Sequence, residues 1–324
     1  MTVLRPTAHR TPARTAGIVV GLASALAFAS SGPVMKPLLE AGWSLGAALL
    51  LRMGGAALLL SPWLVAAVRR DPGMLRRHWR LVVGFGLTAV AGCQLLFFSA
   101  MQRMPVAIAL LVQYTAPVLL VVWVWARTRR RPSAVVLAGT AVAIVGLVLV
   151  IDLTGASFDP IGMLLALGAA VCLAAYFVIA ERTGDTMPPL ALAAGGLVVG
   201  TTLLAVLCAT GVLPFVAPAV STDLLGASMP WFVSVAWVVV VATALGYGLG
   251  VLAVPRIGAR LASFVGLTEV LFAVLFAWLL LGETPTLVQA AGGALILTGV
   301  VLVRADGATA PRGEAAIVPV VPAP

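Results

Sequence analysis

Charge is what this sequence has least of. Of its 324 residues, 10% are Asp, Glu, Lys or Arg and 62% are hydrophobic, against roughly 25% charged in an ordinary soluble domain; a water-soluble globule is excluded. Histidine is nearly missing. His9 and His78 fall in an expected tail and loop, which leaves no His/Cys/carboxylate cluster for a metal. Cys93, Cys172 and Cys208 stand inside apolar runs without ligand spacing, so they read as small packing residues and not as a disulfide framework. Lysine occurs once, as Lys36.

What is present instead is apolar length. Runs near 20 residues recur from residue 16 to residue 303, enough at ~1.5 Å per residue to cross a ~30 Å hydrocarbon layer as helices. They are continuously apolar and not alternating, which excludes a transmembrane barrel. Ten spans are predicted, at 16–37, 44–68, 80–101, 105–126, 134–151, 160–181, 189–212, 230–253, 258–281 and 286–303. The first, preceded by Arg5, Arg10 and Arg14, has the look of a secretory leader; nine further spans favour a retained helix. The net charge of +9 speaks of orientation more than of nucleic acid. With the N-terminus inside, 17 of the 20 basic residues are cytoplasmic, and only Lys36, Arg52 and Arg103 are not. The expected fold is therefore all-α and membrane-embedded, N-in and C-in by the positive-inside rule. Residues 1–14 and 305–324, rich in Pro, Ala, Thr and Gly, read as disordered cytoplasmic tails.

The chain repeats itself. Shifted by 153 residues, AGTAVAIVGLVLV (138–150) falls on AGGALILTGVVLV (291–303), Arg103 on Arg256, Thr115 on Thr268, Trp125 on Trp278 and Pro132 on Pro285. Two five-helix repeats are thus expected, at 15–152 and 158–304. An odd number of spans per copy makes them inverted. The charges agree, since RRRP (129–132) in an expected cytoplasmic turn matches GETP (282–285) in an external one. Many secondary transporters are built from inverted repeats, whose near-equivalent packings exchange an outward for an inward opening about a midplane site.

The segments YTAPVLLVVWVW (114–125), GTAVAIVGLVLV (139–150) and LTEVLFAVLFAWLLLGETPTLVQAAGGALILTGVVLV (267–303) resemble both copies of the signature of EamA-type exporters in the drug/metabolite transporter superfamily. Arg52, in LLLRMGGAALLL, is similar to the arginine usual in that family's second helix. Lys36 sits where a lysine commonly ends the first, and Glu283 stands for the acid after the apolar helix. Arg130 replaces that acid in the first copy, and Val270 follows Glu269 where amino-acid exporters tend to have Pro. The resemblance implies two inverted five-helix bundles around a central cavity. It also implies export of amino acids, purines, drugs or other small metabolites from a bacterial-type plasma membrane.

Glu269 is the acid placed deepest, twelfth in its 24-residue span, where an ionised carboxylate costs roughly 2.5–3.5 kcal/mol. It must face a cavity or a partner, either as a ligand for a substrate amine or coupling proton, or as a hydrogen-bonded packing residue. In the first copy, Gln113, Tyr114 and Thr115 reach the same depth. There Pro117 removes the hydrogen bond to the carbonyl of Gln113, which makes it a hinge. These residues form either a polar wall of the site or a bend between helices. Thr268, Gln94 and Tyr176 join the candidates as polar atoms at depth. Arg52 either snorkels outward or grips a carboxylate bidentately.

The expected function is secondary transport: export of a small polar metabolite, an amino acid or related amine, by alternating access. A proton is the candidate co-substrate and no cofactor is required. Drugs, purines and other metabolites are the alternative cargo; a channel or a membrane-embedded enzyme would be a different class. An enzyme needs a nucleophile and base, a metal or paired acids, none of which the spans supply. Partners are the small molecule and the lipid bilayer, with no nucleic acid; a monomer and a homodimer both stay open.

Overall fold

The computed structural model describes residues 10–309 except 102, 105, 130, 151–158, 184–186, 225–226, 282–283 and 285. Helix α1 (Arg10–Ala29) breaks at Ser30 and resumes as α2 (Ser31–Glu40). At that break the Ser30 hydroxyl donates to the carbonyl of Ala27, at 2.8 Å. Then come α3 (Leu45–Arg70), α4 (Met74–Phe85), a π-helical stretch at Gly86–Gly92, and α5 (Cys93–Met101). Helices α6 (Val106–Gln113), α7 (Ala116–Thr128), α8 (Ala134–Val150), α9 (Pro160–Glu181) and α10 (Pro189–Ala209) follow. After the strands β1 (Ser221–Leu224) and β2 (Ala227–Pro230), α11 (Trp231–Trp237) enters a second π-helical stretch at Val238–Leu245. The chain ends in α12 (Gly246–Ile257), α13 (Ala259–Gly266), α14 (Thr268–Leu281) and α15 (Leu287–Thr309).

Among the described residues, nine stretches are long and apolar enough to cross a membrane: 14–40, 45–70, 74–100, 111–128, 160–181, 189–209, 231–257, 259–280 and 287–306. They take up nine of the ten expected spans. The remaining one is α8, a shorter apolar helix of 17 residues. The described residues are mostly helical, as an all-α membrane fold requires; in one connector a short ribbon forms, β1 and β2 pairing antiparallel with Ser221 opposite Pro230. The ribbon forms in the Pro- and Ser-containing connector after α10, outside the apolar runs, where backbone groups need partners that no helix supplies. Helix also reaches into both stretches read as tails, starting at Arg10 and ending at Thr309; residues 1–9 and 310–324 lie outside the described residues.

Close packing rests on small residues. Where α8 meets α15, a Cβ on Gly146 would stand 2.6 Å from the carbonyl oxygen of Gly292, and one on Gly292 2.6 Å from that of Gly146. Gly139 and Gly299 make the matching approach. All four sit at the 153-residue offset, Gly139 with Gly292 and Gly146 with Gly299, so the crossing is two-fold in character. Backbones can approach this closely only where no side chain intervenes. Helix α3 packs on α10, α1 on α12, and α5 on α9. The last two contacts are also equivalent: Gly17 meets Arg256 and Ile257, while Gly162, 145 residues on, meets Arg103 and Met104. The offset is 145 residues in the first two helices of each copy and 153 later, because the connector carrying the ribbon is longer than its counterpart at 71–73.

Large side chains such as Leu58, Leu164 and Val301 stay exposed on the periphery, as a surface facing lipid requires. At one end of the molecule the α2–α3 turn is tied to the connector before the ribbon. The Ser44 hydroxyl donates to the carbonyl of Pro214 at 2.8 Å, and the Trp43 indole N–H to that of Pro218 at 2.9 Å.

Candidate functional site

A cavity of about 730 Å³ runs through the helices, from Gly21 and Ile257 at one end to Glu40 and Leu45 at the α2–α3 turn. Three of the helices beside it are interrupted, the first at Ser30 and the other two at positions related by the repeat. Helix α6 stops at Gln113 and α7 starts at Ala116; α13 stops at Gly266 and α14 starts at Thr268. The breaks are equivalent at the 153-residue offset, and so are the hydroxyls that close them. Thr115 Oγ1 donates to the carbonyl of Val112 at 2.6 Å, and Thr268 Oγ1 to that of Val265 at 2.6 Å. Each adds a side-chain bond to a carbonyl in the last turn before the break, that of Val112 also taking the Thr115 N–H at 3.1 Å. These two threonines therefore close helix ends, and neither lines the cavity. Pro117 sits in the first turn of α7, where its missing N–H costs nothing. The expected bend is a full interruption, and the proline opens the second half.

Glu269 lies in the first turn of α14, beside backbone N–H groups that have no helical acceptor and form the positive end of the helix. It is half-buried, and it lines the cavity together with Tyr114, Gln113 and Gln94. The Tyr114 hydroxyl is directed at its carboxyl group. Gln113 Nε2 donates to Cys93 Sγ at 3.6 Å, leaving its buried Oε1 without a partner. Cys93, expected to be a packing residue, is buried and also lines the cavity.

Arg52 does not snorkel. It is 9% exposed and lines the cavity, with Nε donating to Thr243 Oγ1 at 2.8 Å. The Thr243 hydroxyl in turn donates to the carbonyl of Val238 at 2.7 Å, within the second π-helical stretch. Arg52 and Glu269 lie within each other's electric field. Among the described ion pairs, however, none joins them. An acid and a base thus face one cavity with no ion pair between them among the described residues.

Tyr176 also lines the cavity, stacked edge-on with Phe177 at 4.9 Å and packed near Phe85 and Tyr247. Tyr247 was not anticipated from the sequence. Its hydroxyl donates to the carbonyl of Ala89 at 3.0 Å, inside the first π-helical stretch. The signal was available, because Tyr247 stands 153 residues after Gln94. Lys36 and Glu40 complete the wall near the α2–α3 turn. Trp123, Trp125 and Trp278 are 40–47% exposed, well away from the cavity. Glu283 and Arg130, the family acid and its replacement, lie outside the described residues. Among the described residues no group of three or more His, Cys, Asp or Glu could hold a metal.

Membrane-spanning helices, interrupted beside an internal cavity that both an arginine and a glutamate line, are the architecture of a membrane transporter. The chain belongs to the EamA-like transporter family, which matches residues 15–152 and again 160–305; its place is the bacterial inner membrane. It is similar to the uncharacterized transporter YwfM of Bacillus subtilis (strain 168), 26% identical over 280 residues, 82% of this chain and 86% of that one. The threonine/homoserine exporter RhtA of Escherichia coli (strain K12) is 26% identical over 237 residues, 72% of either chain. A solved crystal structure superimposes with a TM-score of 0.68 over 89% of this chain and 96% of its own; at 21% identity the likeness carries the fold alone.

Proposed function

We propose that the protein exports a small zwitterion, an amino acid of the threonine and homoserine kind, by alternating access between two inverted five-helix repeats with both termini in the cytoplasm. The observation that carries this reading is that Arg52 and Glu269 line one cavity with no ion pair between them among the described residues. An α-amino acid presents a carboxylate to the first and an ammonium to the second, and neither side chain then needs the other. The similarity to RhtA supports the choice of cargo. The paired helix breaks, the threonines that close them and the two π-helical stretches, 86–92 and 238–245, all recur at one offset; they support the inverted-repeat construction. In the N-in orientation the end of the cavity at Glu40 and Leu45 is the external one. Glu269 then carries the coupling proton when no ammonium is bound.

Counterflow of radiolabelled threonine in proteoliposomes tests this. The wild type should show saturable exchange accelerated by a pH gradient. Glu269→Gln should lose the acceleration, and unchanged export with an unchanged pH response removes Glu269 from the mechanism. Arg52→Gln removes a hydrogen-bonded charge worth about 1.5–3 kcal/mol, so KM for threonine should rise at least about tenfold. A second reading has one observation behind it: Phe28, Phe97, Phe98 and Phe177 also line the cavity, a surface suited to bulkier aromatic cargo. Competition of threonine counterflow by planar aromatic amines would favour it.

A further inference from the structure

We infer that Thr243 is a positioning residue: through the second π-helical stretch it holds the Arg52 guanidinium with its Nη edge turned to the substrate carboxylate. The inference rests on the proposed role of Arg52. A π turn is wider than an α turn by one residue and displaces carbonyls from the ordinary ladder. Here the displaced carbonyl of Val238 takes the Thr243 hydroxyl proton, at 2.7 Å. A hydroxyl has one proton to give, so Thr243 Oγ1 can meet Arg52 only as an acceptor. It does so at 2.8 Å from Nε, with Thr243 fully buried. With Nε occupied, the side-on edge of the guanidinium is closed to ligand, and the two Nη nitrogens remain as the fork for a bidentate carboxylate.

The other copy supplies an independent argument. The counterpart of Thr243 at the 153-residue offset is Val90, and that of Arg52 at the 145-residue offset is Leu197; both are fully buried apolar residues. The first π-helical stretch is kept there, yet no hydroxyl stands at the position of Thr243 and no arginine at that of Arg52; the stretch's own threonine, Thr88, donates to the carbonyl of Gly84 at 2.6 Å. A hydroxyl at the Thr243 position accompanies the arginine and not the π turn as such. Without its oxygen the guanidinium would be free to rotate about its stem and swing toward Glu269, the acid that lines the same cavity.

The test compares L-threonine with its decarboxylated amine, 1-aminopropan-2-ol, as counterflow substrates of the full chain in proteoliposomes. Thr243→Val keeps the volume and removes the acceptor. It should raise KM for threonine about tenfold, leave Vmax within twofold, and leave KM for the amine unchanged; Thr243→Ser should restore the threonine KM. A Thr243→Val KM for threonine within twofold of wild type, an equal rise for both compounds, or no rescue by serine overturns the proposal. Arg52→Gln separates the two levels. If it raises the threonine KM while Thr243→Val does not, positioning fails and the role of Arg52 stands. If Arg52→Gln is also silent, or the wild type moves neither compound, the carboxylate reading fails and takes the positioning with it.

Discussion

At the scale of single residues, the site is shaped as much by absent side chains as by those present. A Cβ on Gly250 would overlap the Tyr176 hydroxyl and approach Ser24 Oγ at 3.1 Å. Tyr176 is held there by Phe85, Phe177 and Tyr247, and so has little room to retreat. Gly250→Ala should therefore cost about 1–3 kcal/mol, the usual range for overfilling a packed interior, and lower the melting temperature of the detergent-solubilised protein. The overlap is with the oxygen alone, since the neighbouring ring carbon stands at 3.4 Å. Tyr176→Phe in the Gly250→Ala background should accordingly recover most of the loss. A double variant no more stable than Gly250→Ala would show that the ring, and not its hydroxyl, sets the limit.

At the scale of elements, the paired helix breaks have different causes. The first has Pro117 in the opening turn of α7; the second has Val270 at the corresponding place in α14, its N–H donating to the carbonyl of Leu267 at 3.2 Å. Proline in a first turn forfeits little, whereas in a helix interior it costs ~3 kcal/mol or more. Val270→Pro should thus leave the fold and threonine counterflow intact, while Val274→Pro, one turn further into α14, should abolish folded protein in size-exclusion chromatography. Equal damage from the two would mean that the 267 interruption depends on the Val270 bond.

The breaks also mark how far the sequence could be read. Apolar length fixes where helices run, and rarer residues such as Arg103, Thr115 and Pro132 expose the repeat. A buried acid must face something polar, which is why Glu269 and its neighbours Gln113 and Tyr114 could be found. Hydrogen-bond register inside a helix leaves no such trace. The two π-helical stretches look like any other apolar run, so Thr243 and Tyr247, which act through them, went unseen. Thr115 and Thr268 bring polar atoms to the right depth, but a threonine in a helix can spend its hydroxyl on a carbonyl one turn back, and both do. The ribbon lies in a connector whose hydropathy is neither helical nor alternating, so no periodicity announces its pairing.

At the scale of the whole molecule, orientation follows from charge. If 17 of 20 basic residues face the cytoplasm, then the α2–α3 turn, the connector before the ribbon and the cavity end at Glu40 and Leu45 all face outward, because the structure groups them at one end. Ser228 in β2 and Arg131 between α7 and α8 are both exposed and lie on opposite sides in this arrangement. Single cysteines at the two positions, in a background lacking Cys93, Cys172 and Cys208, provide the measurement. A membrane-impermeant maleimide should label Ser228→Cys in intact cells and Arg131→Cys only after permeabilisation. The reverse pattern would place the arginines outside, against the bias that orients helices during insertion, and would turn the cavity mouth toward the cytoplasm. Labelling of both in intact cells would break the odd number of crossings between them, and with it the inverted relation of the repeats. The expected pattern leaves the cavity reaching the external face in this conformation, so that the cytoplasmic opening required by alternating access would come from the equivalent packing of α1 on α12 and α5 on α9 exchanging roles.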